Sequence, residues 1–111
     1  MTLPPKIAKK PKRSSRWRSQ SHCTFIRSHH CSIEGCMDMP IQVAHVRLGS
    51  GAGMGEKPDD WRTVPLCAAH HTRQHEVGER TFWAGIDVEH LIDSFCNASP
   101  KAQEIKLHRN G

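Results

Sequence analysis

A chain of 111 residues with 5% aromatics and no Tyr is long enough for one small domain with a thin core, and such domains usually need a staple. Five Cys, an odd number, fit a complete disulfide framework poorly, and with nine His beside them they favour metal ligation. No apolar run approaches a signal-peptide core or a transmembrane helix, so the expectation is a cytoplasmic protein with reduced thiols and no membrane partner.

The net charge of +5 is unevenly placed. Residues 1–20 hold Lys6, Lys9, Lys10, Lys12, Arg13, Arg16 and Arg18 and no acid, which leaves nine Lys/Arg against eleven Asp/Glu in residues 21–111. With Pro4, Pro5, Pro11 and Ser14-Ser15, this stretch reads as a flexible basic lead-in. It is either a solubilising tail or an arm that grips phosphate, and Trp17 among the arginines, as a base-stacking platform, favours the arm.

Residues 22–27 (HCTFIR) fit a short strand or a helical turn equally. Residues 31–36 (CSIEGC) form a tight turn, with Gly35 free to take positive φ. Residues 41–46 (IQVAHV) alternate as a strand that follows Pro40. The four glycines of residues 49–55 mark a flexible hairpin tip; they are not a phosphate-binding loop, because Met54 stands where the third glycine is required. Residues 62–66 (RTVPL) read as a second strand ended by Pro65. Residues 68–76 favour a helix stopped by Gly78, residues 79–84 a short helix anchored by Phe82 and Trp83, and residues 87–98 a helix capped by Asp87. Pro100 onward reads as a polar tail. The domain is therefore placed at residues 21–99, between a basic arm (1–20) and a tail (100–111).

Zinc takes thiolate and imidazole in a tetrahedron, commonly two ligands per knuckle. Cys31-x4-Cys36 supplies one pair on a turn and Cys67-x2-His70 a second at a helix entrance, with an intervening hairpin to bring them together. Cys23 and Cys96 are left as ordinary thiols. His71 and His75, four apart, share one face of the predicted helix, the spacing by which a helix offers two imidazoles to one metal. His45 ends the first strand and would face that helix; an imidazole with a pKa near 6.5 suits a general base.

The run from Ala44 to His75 resembles the HNH (ββα-metal) endonucleases, within them the phage and prophage group of YbcO-like and Ref-like nucleases. The residues that carry the likeness are Ala44-His45, the glycine-rich loop, Lys57-Pro58-Asp59-Asp60, Pro65-Leu66-Cys67, His70-His71 and His75, and it extends over about residues 22–95. The resemblance implies a small α+β fold, a zinc-stapled ββα-metal unit with extra C-terminal helices. It implies metal-dependent DNA hydrolysis with His45 as general base and His71 and His75 holding a divalent ion (Mg2+, Mn2+ or Zn2+). It further implies a phage or prophage setting linked to recombination or DNA processing, with DNA as partner and, from the likeness to Ref, a recombinase filament as a second one. Cys31, Cys36, Cys67 and His70 become the structural zinc set. Arg47, Lys57, Arg62 and Arg73 are the cations expected to meet DNA. Two positions depart from the pattern: Ala44 stands where many members carry a metal ligand, and Arg62 stands near the place of the middle Asn. Asp60 could compensate as a third ligand or as a brace for the hairpin, and Arg62 as a phosphate clamp. The alternative is a non-catalytic zinc module that binds DNA or a recombination protein.

Overall fold

The computed structural model describes residues 16–52 and 56–110; the first fifteen residues, with five of the arm's cations, and the tip at 53–55 lie outside them. The described residues form a small α+β unit, in the order α1 (Gln20–Arg27), β1 (Ile41–His45), β2 (Thr63–Cys67), α2 (Ala68–Val77), α3 (Glu79–Phe82), α4 (Val88–Ala98) and α5 (Ala102–Asn110). The strands pair antiparallel, from Ile41 opposite Cys67 to His45 opposite Thr63. Val46 continues the pairing by donating its N–H to the Arg62 carbonyl at 2.8 Å.

Local chemistry sets each boundary. Residues 22–27 resolve to helix because Ser19 caps α1, its Oγ accepting from the His22 N–H, while His22 and Ile26 bury on one face. Asp87 caps α4 by accepting from the His90 N–H at 3.0 Å. Gly78, at φ +85°, ends α2 where a side chain would be strained. Pro65 lies inside β2 rather than ending it. Its carbonyl faces away from β1, accepting from both the N–H and the hydroxyl of Ser32 at 2.8 Å, so its nitrogen also faces outward and no ladder bond is lost.

The core gathers Ala44, Val46, Val64, Leu66 and Ile92, all fully buried, with Trp83 and Ile105 against them. Three expectations are corrected by what packs on this core. Trp17 is 9% exposed and donates its indole N–H to Glu104 at 3.0 Å, so it is a core anchor and not a stacking platform. Arg16 to Ser19 belong to the folded unit: the Trp17 N–H donates to Asp59 at 2.6 Å and the Ser19 N–H to Asp60 at 2.9 Å. The expected tail after Pro100 is the helix α5, which buries Ile105 and stacks the Arg109 guanidinium 4.4 Å from the Trp61 ring. Burial of one Ile side chain contributes about 2 kcal/mol, enough to hold a short helix that has little stability alone.

Arg62 departs furthest from its expected role. It is 5% exposed, forks onto the Glu89 carboxylate at 3.0 and 2.5 Å, and donates to the carbonyls of Val46 (3.2 Å) and Leu48 (2.8 Å). It braces the β1–β2 connection against α4 and is not offered to phosphate. Replacing it by Met should destabilise the protein by about 2–3 kcal/mol in urea unfolding at unchanged m. That lies below the usual loss for a buried pair because Glu89, 51% exposed, can rehydrate. A loss under about 0.5 kcal/mol would contradict the bracing role.

Candidate metal centre and histidine groove

The strand pair brings the two knuckles together. Register sets Cys67 opposite Ile41, and the turn of residues 31–36, with Gly35 at φ +78°, folds against the end of β2. The ligand atoms of Cys31, Cys36, Cys67 and His70 all lie within 4.8 Å of one another, half to fully buried. Cys31 Sγ is 3.4 Å and Cys67 Sγ 3.2 Å from His70 Nδ1, while the Sγ atoms of Cys36 and Cys67 are 3.9 Å apart. A tetrahedron with zinc bond lengths has edges of about 3.8 Å between thiolates and about 3.6 Å from thiolate to imidazole. The residues therefore fit a metal such as zinc, and all five cysteines are free thiols. A backbone hydrogen bond at Asp38 pulls the Cys36 pKa down, but desolvation and the neighbouring Cys31 and Cys67 thiols win and push it up to about 11. A cation among the sulfurs is what would reverse that crowding.

Beside this cluster runs an open groove of about 850 Å³, its walls including His45, Asp60, His71 and His75 with Arg47 and Lys57. His45 comes from the end of β1, and His45 Nε2 lies 2.8 Å from Asp60 Oδ1. Burial lowers the His45 pKa, against the pull of Asp60. Burial would raise the Asp60 pKa, but the His45 and Ser19 hydrogen bonds and the Arg18 charge, with Arg18 Nη1 at 3.2 Å, together bring it down. The pair is thus a neutral imidazole and a carboxylate. Its Nε2–H donates to Asp60 and Nδ1 keeps the lone pair.

His71 and His75 share one face of α2, with their Nε2 atoms 3.3 Å apart. Burial, then the nearby His75 and His45, lowers the His71 pKa. His71 Nδ1 lies 2.7 Å from the Gln42 side-chain oxygen on β1.

Asp60 is turned to His45 and Arg18, not grouped with His71 and His75; among the described residues, Cys31, Cys36, Cys67 and His70 are the one set of three or more potential ligands so closely gathered. Ala44, at the position where many HNH members carry a metal ligand, is fully buried in the core. Arg47 and Lys57 are exposed in the groove walls, joined there by Arg27; Arg73 is exposed on α2 and is not among the wall residues. Sequence reasoning missed Gln42, Arg18 and Glu79, the last accepting the N–H groups of Arg47 (2.8 Å) and Leu48 (2.9 Å) where the chain leaves β1. The sole signal for Gln42 was one polar residue early in an otherwise apolar strand run.

The family model described as "Protein of unknown function (DUF968)" matches residues 3–93, most of the chain and the whole of β1 and α2, which carry His45, His71 and His75. The chain belongs to the DUF968 family. The uncharacterized protein YdfU of Escherichia coli (strain K12) is 34% identical over 73 residues, covering 65% of this chain. The chain spans 20% of YdfU's length. No solved structure matches. Among the described residues, no helix of this DUF968 member is long and apolar enough to cross a membrane.

Proposed function

We propose that this protein is a metal-dependent DNA endonuclease of the HNH type, hydrolysing phosphodiester bonds with His45 as general base. The observation that carries the reading is the meeting, in one open groove, of the His45–Asp60 pair and the His71–His75 pair, on two antiparallel strands that run directly into a helix. That order, with the Cys3His cluster at the strand–helix junction, supports a zinc-stapled ββα-metal unit.

His71 and His75 would hold a divalent ion, Mg2+ or Mn2+ in the first instance. Bound there, such an ion supplies positive charge to the scissile phosphate and the leaving oxygen. The chain's own residues do the rest. Asp60 accepts the hydrogen bond of the His45 Nε2–H, fixes the tautomer and leaves Nδ1 to take a proton from water. Arg27, Arg47 and Lys57 draw the phosphate backbone to the walls. A phage or prophage role in recombination or DNA processing, with a recombinase filament as a second partner, belongs to the same proposal.

A second reading, a non-catalytic zinc module that binds DNA or a recombination protein, is favoured by the lack, among the described residues, of a third close ligand for His71 and His75. Supercoiled plasmid separates the two. The nuclease converts it to nicked circles only when Mg2+ or Mn2+ is added, whereas the binder retards it and never nicks it. Omitting the metal is the right control, since a chelator would also attack the cysteine site. Both readings give the basic arm a role. Deleting residues 1–15, which carry five Lys/Arg, should weaken DNA binding and flatten its salt dependence by about 0.9 in log–log slope for each phosphate no longer neutralised. Cutting after residue 15 spares Trp17 and the Asp60 contacts. An unchanged slope in a filter-binding titration would exclude the arm from the interface.

A further inference from the structure

The Gln42 side chain reaches from β1 to Nδ1 of a groove histidine, a contact that neither the sequence motifs nor the general-base chemistry requires. Its oxygen lies 2.7 Å from His71 Nδ1. A carbonyl oxygen only accepts, so Nδ1 carries the proton and the lone pair is left on Nε2. That Nε2 is the atom 3.3 Å from His75 Nε2. Two imidazole nitrogens about 2.1 Å from one ion are separated by about 3.0 Å at a right angle and about 3.4 Å at a tetrahedral one, so the observed approach suits a shared ion. His71 can offer this lone pair only in the Nδ1–H tautomer, the less common one for a free imidazole.

We propose that Gln42 is a positioning residue, whose side-chain oxygen locks His71 in the Nδ1–H tautomer and aims its Nε2 lone pair at the point shared with His75. Ligating histidines characteristically donate their second N–H to such an acceptor, and losing it costs roughly 10–100-fold in metal affinity. Gln42 is exposed and makes no core contact, so its replacement leaves the fold in place. The inference about affinity rests on the reading of His71 and His75 as a cation site; the tautomer does not.

Two measurements on the 111-residue chain, supplied with zinc, test it separately. Long-range 1H–15N correlation spectra report which His71 nitrogen is protonated. Nδ1–H is expected in the wild type and in Gln42→Glu, with a shift toward Nε2–H in Gln42→Leu. An unchanged His71 pattern in Gln42→Leu overturns the proposal. Mn2+ titration by calorimetry is then expected to show affinity reduced roughly 10–100-fold in Gln42→Leu and restored in Gln42→Glu, whose carboxylate accepts the same proton. Equal Mn2+ affinity in wild type and Gln42→Leu overturns the positioning role. If the wild type takes up no Mn2+ while the tautomer shifts as expected, the hold of Gln42 on His71 stands and the cation-site reading fails instead.

Discussion

A chelator that removes the metal from Cys31, Cys36, Cys67 and His70 is expected to unfold the protein cooperatively. The site ties together the turn at residues 31–36, the end of β2 and the first turn of α2. α2 buries Gln74 alone, and that through the hydrogen bond its oxygen accepts from the Trp83 indole at 2.9 Å. A structural zinc contributes on the order of 10 kcal/mol at neutral pH, against a total stability of about 5–15 kcal/mol for a domain of this size. The metal is therefore comparable to the whole. Circular dichroism during titration with a tight zinc chelator should lose the helical signal in step with zinc release, and added zinc should restore it. Retention of a cooperative melt after complete removal of the metal would contradict the staple.

His45→Ala should reduce cleavage by about 10²–10⁴-fold, the usual loss when a general base is removed, while leaving zinc content and thermal midpoint near wild type. Asp60→Asn should cost less in rate, because the amide can still hold the ring, but more in stability, since it also loses charge facing Arg18. The pH profile carries a second sign. Burial sets the His45 pKa below its ordinary 6.5, so its proton is gained only in acid. Activity should therefore hold through neutrality and fall as pH drops through that lowered pKa. The same shift makes the folded state prefer neutral His45, so its contribution to stability is present above pH 6.5 and fades below it. Cleavage that rises as the pH falls through this range would assign His45 a different role.

The parts of the molecule that were legible in the sequence are those written in short spacings. Cys31-x4-Cys36 and Cys67-x2-His70 pointed to a cluster that could hold a metal because each pair is local and sits at an element junction, and the four-residue step from His71 to His75 put both rings on one face. Strand and helix positions followed from alternation, Gly78 and Asp87. What could not be read depends on partners far along the chain. Trp17 finds Glu104 across 87 residues, Asp60 takes up Ser19 and Arg18 across 41 and 42, and Arg62 meets Glu89 across 27. In isolation each resembles a surface side chain, and only tertiary contact turns Trp17 and Arg62 inward. α5 escaped notice for a related reason. Its one buried anchor, Ile105, gives no amphipathic stripe, and Leu107, two residues on, faces away from the core at 74% exposure.

The structure also redistributes the roles that the HNH resemblance implied. Arg62 fills the place near the missing Asn by bracing the hairpin itself, and Asp60 pairs with His45, which leaves His71 and His75, with Gln42 behind them, as the pair we propose to hold the ion. A site with two firm ligands binds metal weakly, and millimolar Mg2+ or Mn2+ should be needed for activity.

The most direct test compares wild type and His45→Ala, matched for zinc content, on supercoiled plasmid with and without added Mn2+. Nicked circles are expected from the wild type with Mn2+ and from neither protein without it, with His45→Ala at background throughout. Equal nicking by both proteins, or none by fully zinc-loaded wild type under any added divalent metal, would contradict the assignment of a His45-dependent endonuclease.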